Sequence, residues 1–371
     1  MSPRRRPTLR DIALSLDLSV NTVSRALADK DAVSRETRER VKEEAERLGY
    51  VPNTMARSLV LRNAMTLGLV ITNPANPFYA RLISAIEERG RERGYSLMLM
   101  VTEDSADNER RAAEELMRWG VDGVLAIPVQ HGAEHWHRLR KSGTPVVLLN
   151  RHLPELDADV VGVDYYAGAR LATEHVLDGG ATELYLVEED LDISPVAERI
   201  RGFRETLAAR GIAAPDDAVV RVDPAATEGA PEGAPVSGPF DPGVAYAVGA
   251  GLARRAGPGA VVLAGNDYHA LGLYRAFGER GLRVGTDIGV VGHGDHPFSA
   301  YLDPALTTVR LPAPEVGRAG VDRLLERVRA GTEPGDGPDS VAGSADPIRT
   351  LLAPELVVRA SAGPLRRRGE H

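Results

Sequence analysis

Between residues 8 and 50 the apolar positions recur at three- and four-residue spacing, in three short bursts. Leu9, Ile12, Ala13 and Leu16 make the first. Thr8, three residues ahead of Asp11, is a capping-box variant that predicts a helix start there. The run breaks at Asp17-Leu18-Ser19, where Ser19 suits the N-cap of a second helix to about Leu27. Ser34 predicts the cap of a third, to about Leu48. Its Val41, Ala45 and Leu48 would close a small core, and Gly49 would end it. Two short amphipathic helices across a three-residue turn predict a helix-turn-helix in an all-α N-terminal domain.

From Met65 onward the pattern changes. Apolar runs at 67–71, 97–101, 124–127, 146–149, 184–187, 261–263 and 288–291 predict strands. Helical periodicity occupies 79–93, 108–119, 167–177, 196–210, 268–281 and 313–330. Strand and helix in alternation predict parallel sheets with crossover helices. The stretch is too long for one comfortable core, so an α/β body of two doubly wound lobes is expected. Segments 224–242 and 334–347, rich in Pro, Gly, Ala and acids, read as surface loops.

Charge qualifies this picture. The formal net charge of −8 would discourage a nucleic-acid partner. Yet residues 1–62 hold 13 basic and 9 acidic side chains, so the acidity belongs to the body and the head is basic. The sequence has no Cys, which removes disulfides, thiolate metal sites and Cys nucleophiles together. No apolar run approaches the length of a spanning helix, and no apolar core follows Arg4, Arg5 and Arg6 as a signal peptide would require. A cytoplasmic protein without membrane association is expected.

In a helix-turn-helix the second helix enters the major groove. Here it would present Val20, Asn21, Thr22 and Arg25. Asn can read adenine, Arg guanine, and Val a thymine methyl, while Ser19 and Ser24 suit phosphates. On these residues alone a generic three-helix bundle, with Arg25 on a solvated face, stands as the alternative.

The longer strings decide between the two. Asp11-Ile12-Ala13, Ser19 to Arg25 (SVNTVSR), Val33 to Val41 (VSRETRERV), Leu48 to Asn53 (LGYVPN) and Ala56-Arg57-Ser58-Leu59 occur in that order. With them the chain resembles the LacI/GalR family of transcriptional regulators. The resemblance implies a head at 1–51, a hinge helix and linker at 52–64, an effector and dimerisation domain at 65–363 and a basic tail at 364–371. It also implies a homodimer, expected to be a repressor, on a palindromic double-stranded operator. Thr8, Asn53, Ala56 and Arg57 would join the DNA contacts, and Leu59 would wedge into the central base step. One departure is Leu16-Asp17, where the family usually has Ala-Gly; Asp tolerates the left-handed backbone such a turn needs.

The likeness extends over the body through Asn76-Pro77-Phe78-Tyr79, Val121-Asp122-Gly123, Arg199 to Phe203 and Gly265-Asn266-Asp267. It implies a periplasmic-binding-protein-like core of two lobes with a small, sugar-like effector between them. Matching positions make Phe78, Tyr79, Asn150, Arg199, Asn266 and Asp267 the expected effector residues, Arg199 as a charged donor. A second departure is Gly292-His293-Gly294-Asp295-His296. There an Asp that commonly grips the effector is Gly294, and His293 or Asp295 would have to substitute.

Other chemistries are weaker. His131, His135 and His137 with Glu134, and His293 with His296, fit no established zinc spacing. Gly249-Ala250-Gly251 sits in a helical pattern and lacks the third glycine of a dinucleotide turn. Nucleophile-elbow and P-loop strings are absent. No catalytic residue, metal or cofactor is expected. A solute receptor would need export and would have no use for the head.

Overall fold

The computed structural model describes residues 7–27, 33–50, 64–223, 241–332 and 346–363. Two compact units divide the chain, 1–64 and 65–371. Residues 53, 56, 57 and 59 of the expected hinge, and the tail at 364–371, lie outside the described residues.

In the first unit, helices α1 (Leu9–Leu16), α2 (Val20–Leu27) and α3 (Arg35–Leu48) follow one another. The Asp11 carboxylate accepts from the Thr8 N–H and hydroxyl, both at 2.7 Å. Asp17 takes the left-handed conformation at φ 52° as the C-cap of α1. Ser19 Oγ accepts from Thr22 N–H and Ser34 Oγ from Thr37 N–H. Gly49 closes α3 at φ 67°, a conformation that costs glycine nothing. Ile12, Ala13, Val23, Ala26, Val33, Val41 and Ala45 form the small core. Beside it, hydrogen bonds from Arg47 and then Ser15 draw the Glu44 carboxyl down to about 2, which ties α3 to α1.

The second unit contains two six-stranded sheets. β1 (Thr66–Ile71), β2 (Ser96–Val101), β3 (Gly123–Ala126), β4 (Val146–Leu149) and β5 (Asp159–Val163) build the near lobe. β6 (Glu183–Glu189), β7 (Val219–Val222), β8 (Ala260–Ala264), β9 (Gly289–Gly294) and β10 (Thr307–Arg310) build the far lobe. β11 (Arg349–Leu352) returns to the near sheet, and β12 (Glu355–Val357) to the far one. The strand orders are β11-β5-β4-β3-β1-β2 and β12-β10-β9-β8-β6-β7, parallel except for β12 against β10. The chain therefore passes between the sheets three times. β1, β3, β4 and β8 are almost wholly buried, as parallel strands covered on both faces must be. Edge strand β2 instead leaves Leu99 and Val101 exposed.

The first helices of the body are α4 (Pro77–Glu92), α5 (Ala106–Trp119), α6 (Glu134–Lys141) and α7 (Tyr165–Asp178). α8 (Ser194–Ala209), α9 (Pro242–Arg255), α10 (Asp267–Gly278) and α11 (Ala313–Thr332) follow among the described residues. Pro242, expected at the end of a surface loop, is instead the first turn of α9, behind an Asp241 cap that accepts from Gly243 N–H. α6 was hidden among the histidines considered for zinc. Its buried His135 meets Glu109 at 2.8 Å, and Trp136 donates to the same carboxylate at 3.1 Å, so His135 belongs to the packing of α5 against α6.

Candidate functional site

In the head, the outer face of α2 leaves Val20, Asn21, Ser24 and Arg25 exposed, with Ser19 just ahead of them and Thr22 half-buried. Val23 and Ala26 face inward. The helix thus turns a polar, cationic stripe outward while its other face is held by the core. Thr8 is half-buried at the start of α1, with its hydroxyl bound to Asp11.

In the body, a small cavity of about 100 Å³ opens where the carboxyl ends of both sheets face one another. Parallel sheets place ligands at this end, since the loops that follow each strand converge there. The near lobe contributes Asn73, Phe78, Tyr79, Asp104 and Arg151; the far lobe contributes Tyr165, Glu189, Arg199, Asn266 and His293. Phe78 and Tyr79 are buried on the first turn of α4 and meet edge-to-face at 5.9 Å. Tyr165 stacks on His293, and the Arg199 guanidinium lies 5.4 Å from the Tyr165 ring.

Of the eight effector residues expected from sequence, five line this cavity: Phe78, Tyr79, Arg199, Asn266 and His293. Three do not. Asn150 stands at φ 58° just beyond β4 and its Oδ1 accepts from Val163 N–H, so it clips β4 to β5 beside the cavity. Asp267 is fully buried behind the wall and accepts from His296 N–H, Ser299 Oγ and Thr308 Oγ1, at 2.9, 2.6 and 2.6 Å. Asp295 is tied to Arg310 and Arg359, its two oxygens accepting from Nε and Nη2 at 2.8 and 2.7 Å.

Arg199 lines the cavity, but not as the open donor that was expected. Its Nε and Nη2 donate to the two oxygens of Glu188 at 2.6 and 2.8 Å. Burial opposes its charge, yet Glu188 more than offsets this and holds its pKa above the ordinary value. Asn266 likewise spends Oδ1 on His269 N–H as the cap of α10, which leaves its amide nitrogen for a ligand.

Sequence reasoning missed the other half of the site. Arg151 is buried after β4, where Nη1 donates to Asp104 at 2.9 Å and to the Pro128 carbonyl at 3.2 Å. Glu189 ends β6, with His269 Nε2 3.6 Å from its Oε1. Burial, and then the neighbouring Glu188, pushes the Glu189 carboxyl up to about 7. Burial holds His269 down to about 3, and drives His293 well below the usual imidazole range. Burial lowers His296 as well. All three imidazoles are therefore neutral near pH 7. The Glu188-Glu189 doublet at the end of an apolar strand was the available signal, because acids there must be buried, paired or functional.

Four groups that line the cavity keep a polar atom without a hydrogen-bond partner: Arg151 Nε, Glu189 Oε1, His293 Nε2 and His296 Nδ1; His269 Nδ1, buried outside the lining, is another. Unmet donors and acceptors are costly in a dry core and are expected where a polar ligand completes them. Among the described residues no three His, Asp or Glu side chains converge as a metal site, and no helix is long and apolar enough to cross a membrane.

Residues 8–53 match the family described as bacterial regulatory proteins, lacI family. Residues 64–232 match its periplasmic binding protein and sugar-binding domain, and residues 173–362 a periplasmic binding protein-like domain. The ribose operon repressor of Escherichia coli (strain K12) is 31% identical over 356 residues, 96% of this chain and 99% of that protein. The HTH-type transcriptional regulator CelR of Thermobifida fusca is 31% identical over 368 residues, 97% of this chain and 100% of its own. Among solved structures, the lac repressor dimer bound to operator and the anti-inducer ONPF superposes with a TM-score of 0.81. It is 23% identical, over 97% of this chain and 100% of that one, a likeness of fold.

Proposed function

The chain belongs to the LacI family of bacterial regulatory proteins and is a DNA-binding transcriptional regulator; from that premise we propose which residues read DNA and what the cleft senses. It acts as a repressor, as a homodimer on a palindromic operator, because a two-fold dimer matches a two-fold site. Asn21 and Arg25 read base edges, Val20 and Thr22 pack on them, and Ser19, Ser24 and Thr8 fix the phosphates. Asn53, Ala56 and Arg57 follow the minor groove, with Leu59 as the wedge. These assignments rest on the outward face of α2 and on the family resemblance. Edge strand β2, with Leu99 and Val101 exposed, supports self-association of the near lobe.

The cleft binds a compact, hydroxyl-rich effector. The observation that carries this reading is the set of unmet polar atoms around the cavity, on walls that also carry aromatic rings. Hydroxyls can donate to Glu189 and accept from Arg151, while a sugar face stacks on Tyr79 or Tyr165. The relative named for ribose fits such a ligand. Binding changes lobe closure and thereby favours or disfavours the paired hinge helices, a two-state element biased by a ligand. The protein has no catalytic role; its buried acids and bases are spent on structure or aimed at the effector.

Selection of DNA fragments on the intact protein, followed by gel retardation at several salt concentrations, tests the first part. A sequence-selective, palindromic site is expected, and retardation that is uniform across sequences would refute it. A thermal-shift panel of neutral sugars tests the second, because a ligand held only by the folded state raises its stability.

A further inference from the structure

Resting on the effector reading above, we propose that this cleft accepts an uncharged polyhydroxylated ligand and rejects its phosphorylated form, with Glu188 as the residue that sets the choice.

A phosphate site needs donors that are positive and open, typically an Arg fork or a helix start. Two arginines reach the cavity, and both are engaged. The Arg199 fork is closed by Glu188 through two bonds, and Arg151 is paired with Asp104. The pairing of Arg199 is built into the fold: a Cβ on Gly265 would lie 2.6 Å from the Glu188 carboxylate, so only glycine leaves that room. A third acid, Glu189, faces the same space, and the nearby imidazoles are neutral. Arg81, the next cation, spends Nη2 on the Gly294 carbonyl.

Helix starts at the cleft are also filled, at α7 by the Asp164 carboxylate, which accepts from Ala167 N–H, and elsewhere by neutral amide oxygens. Asn76 Oδ1 accepts from Phe78 N–H, Asn266 Oδ1 from His269 N–H, and Gln130 Oε1 from Ser194 N–H. The groups that remain unmet around the cavity are single and mixed in kind: an Arg Nε donor, a carboxylate oxygen and two imidazole nitrogens. That set suits hydroxyls, each able to donate and accept. A dianion would find the Asp104 and Glu189 carboxylates instead of a free fork.

The test uses the intact protein with two probes, inorganic phosphate and D-ribose 5-phosphate, each at low millimolar concentration against sodium chloride of equal ionic strength. Thermal shift and calorimetry are read on the wild type, on Glu188→Gln, on Arg199→Gln and on the double variant Glu188→Gln/Arg199→Gln. The wild type is expected to show no protection by either probe. Glu188→Gln, with the fork opened, is expected to bind phosphate about tenfold more tightly or better, and the double variant to lose that gain. Protection of the wild type by either probe, abolished by Arg199→Gln, would overturn the proposal. So would a folded Glu188→Gln protein that gains no phosphate binding. Should Glu188→Gln fail to fold, the wild-type arm decides alone. Failure of every neutral sugar in the separate panel would refute the effector reading, which these phosphate measurements do not touch.

Discussion

Arg199 and Glu188 meet fork to carboxylate, at 2.6 and 2.8 Å, with side chains 12% and 1% exposed. The residue expected to offer its charge to the effector has it met from its own lobe. Truncating one member of such a pair strands the other, and that cost exceeds what the pair contributes net. Arg199→Gln should therefore lower stability by about 3 kcal/mol or more, whereas Arg199→Gln/Glu188→Gln should recover a large part of the loss. Urea denaturation of the two singles and the double measures the coupling directly. Additive effects would mean that the contact is incidental.

Glu189 makes stability depend on pH. Its folded value of about 7 lies above the ordinary 4.5, so its contribution is fully present below 4.5 and is lost as pH rises through 7. The shift sets an upper bound of about 3 kcal/mol. Glu189→Gln cannot ionise and should escape the loss. Its stability relative to wild type should rise between about pH 5 and about pH 8, by chemical denaturation at each pH. A difference independent of pH would place the carboxyl in solvent.

Asp159 is the opposite case. Burial works against its charge, but Arg327, Arg323 and the Ile348 N–H hold it ionised and well below the usual carboxylate range. It joins β5 to α11, so its contribution is present above the ordinary carboxylate value and is lost as pH falls. Asp159→Asn should cost about 3 kcal/mol at neutral pH and flatten the acid limb of the stability curve. Unaltered acid unfolding would show that the arginines find other partners.

Much of the fold was legible in sequence because parallel strands buried on both faces read as unbroken apolar runs. β1, β3, β4 and β8 were found this way, with the capped helices around them. β7, β11 and β12 were not, since they are short, half-exposed strands at sheet edges whose pattern resembles a loop. β5 and β10 are short, with a glycine within the first and two threonines opening the second, so neither offers a sustained apolar run. In the cleft, position along the chain identified which loops converge but not which side chain of a neighbouring pair turns inward. Asn150 turns to β5 and Arg151 to the cavity; Asp267 turns to the core and Asn266 to the cavity. Pairing was invisible too: nothing in the spacing of Glu188 and Arg199 announces that they bond.

On DNA, Arg25→Ala should erase the preference among base sequences. Leu59→Ala should weaken specific binding by about tenfold or more while non-specific, salt-steep binding persists. Anisotropy titrations on selected and scrambled duplexes measure both. Equal loss on the two duplexes would remove Leu59 from the wedge role.

The claim that the cleft governs DNA reading is tested most directly by titrating the intact protein onto its selected duplex with and without a saturating neutral sugar identified by thermal shift. The apparent affinity should change by about 5- to 150-fold, and Arg151→Gln should abolish that change while leaving ligand-free DNA binding intact. An affinity that stays the same while the sugar demonstrably occupies the protein would contradict the account.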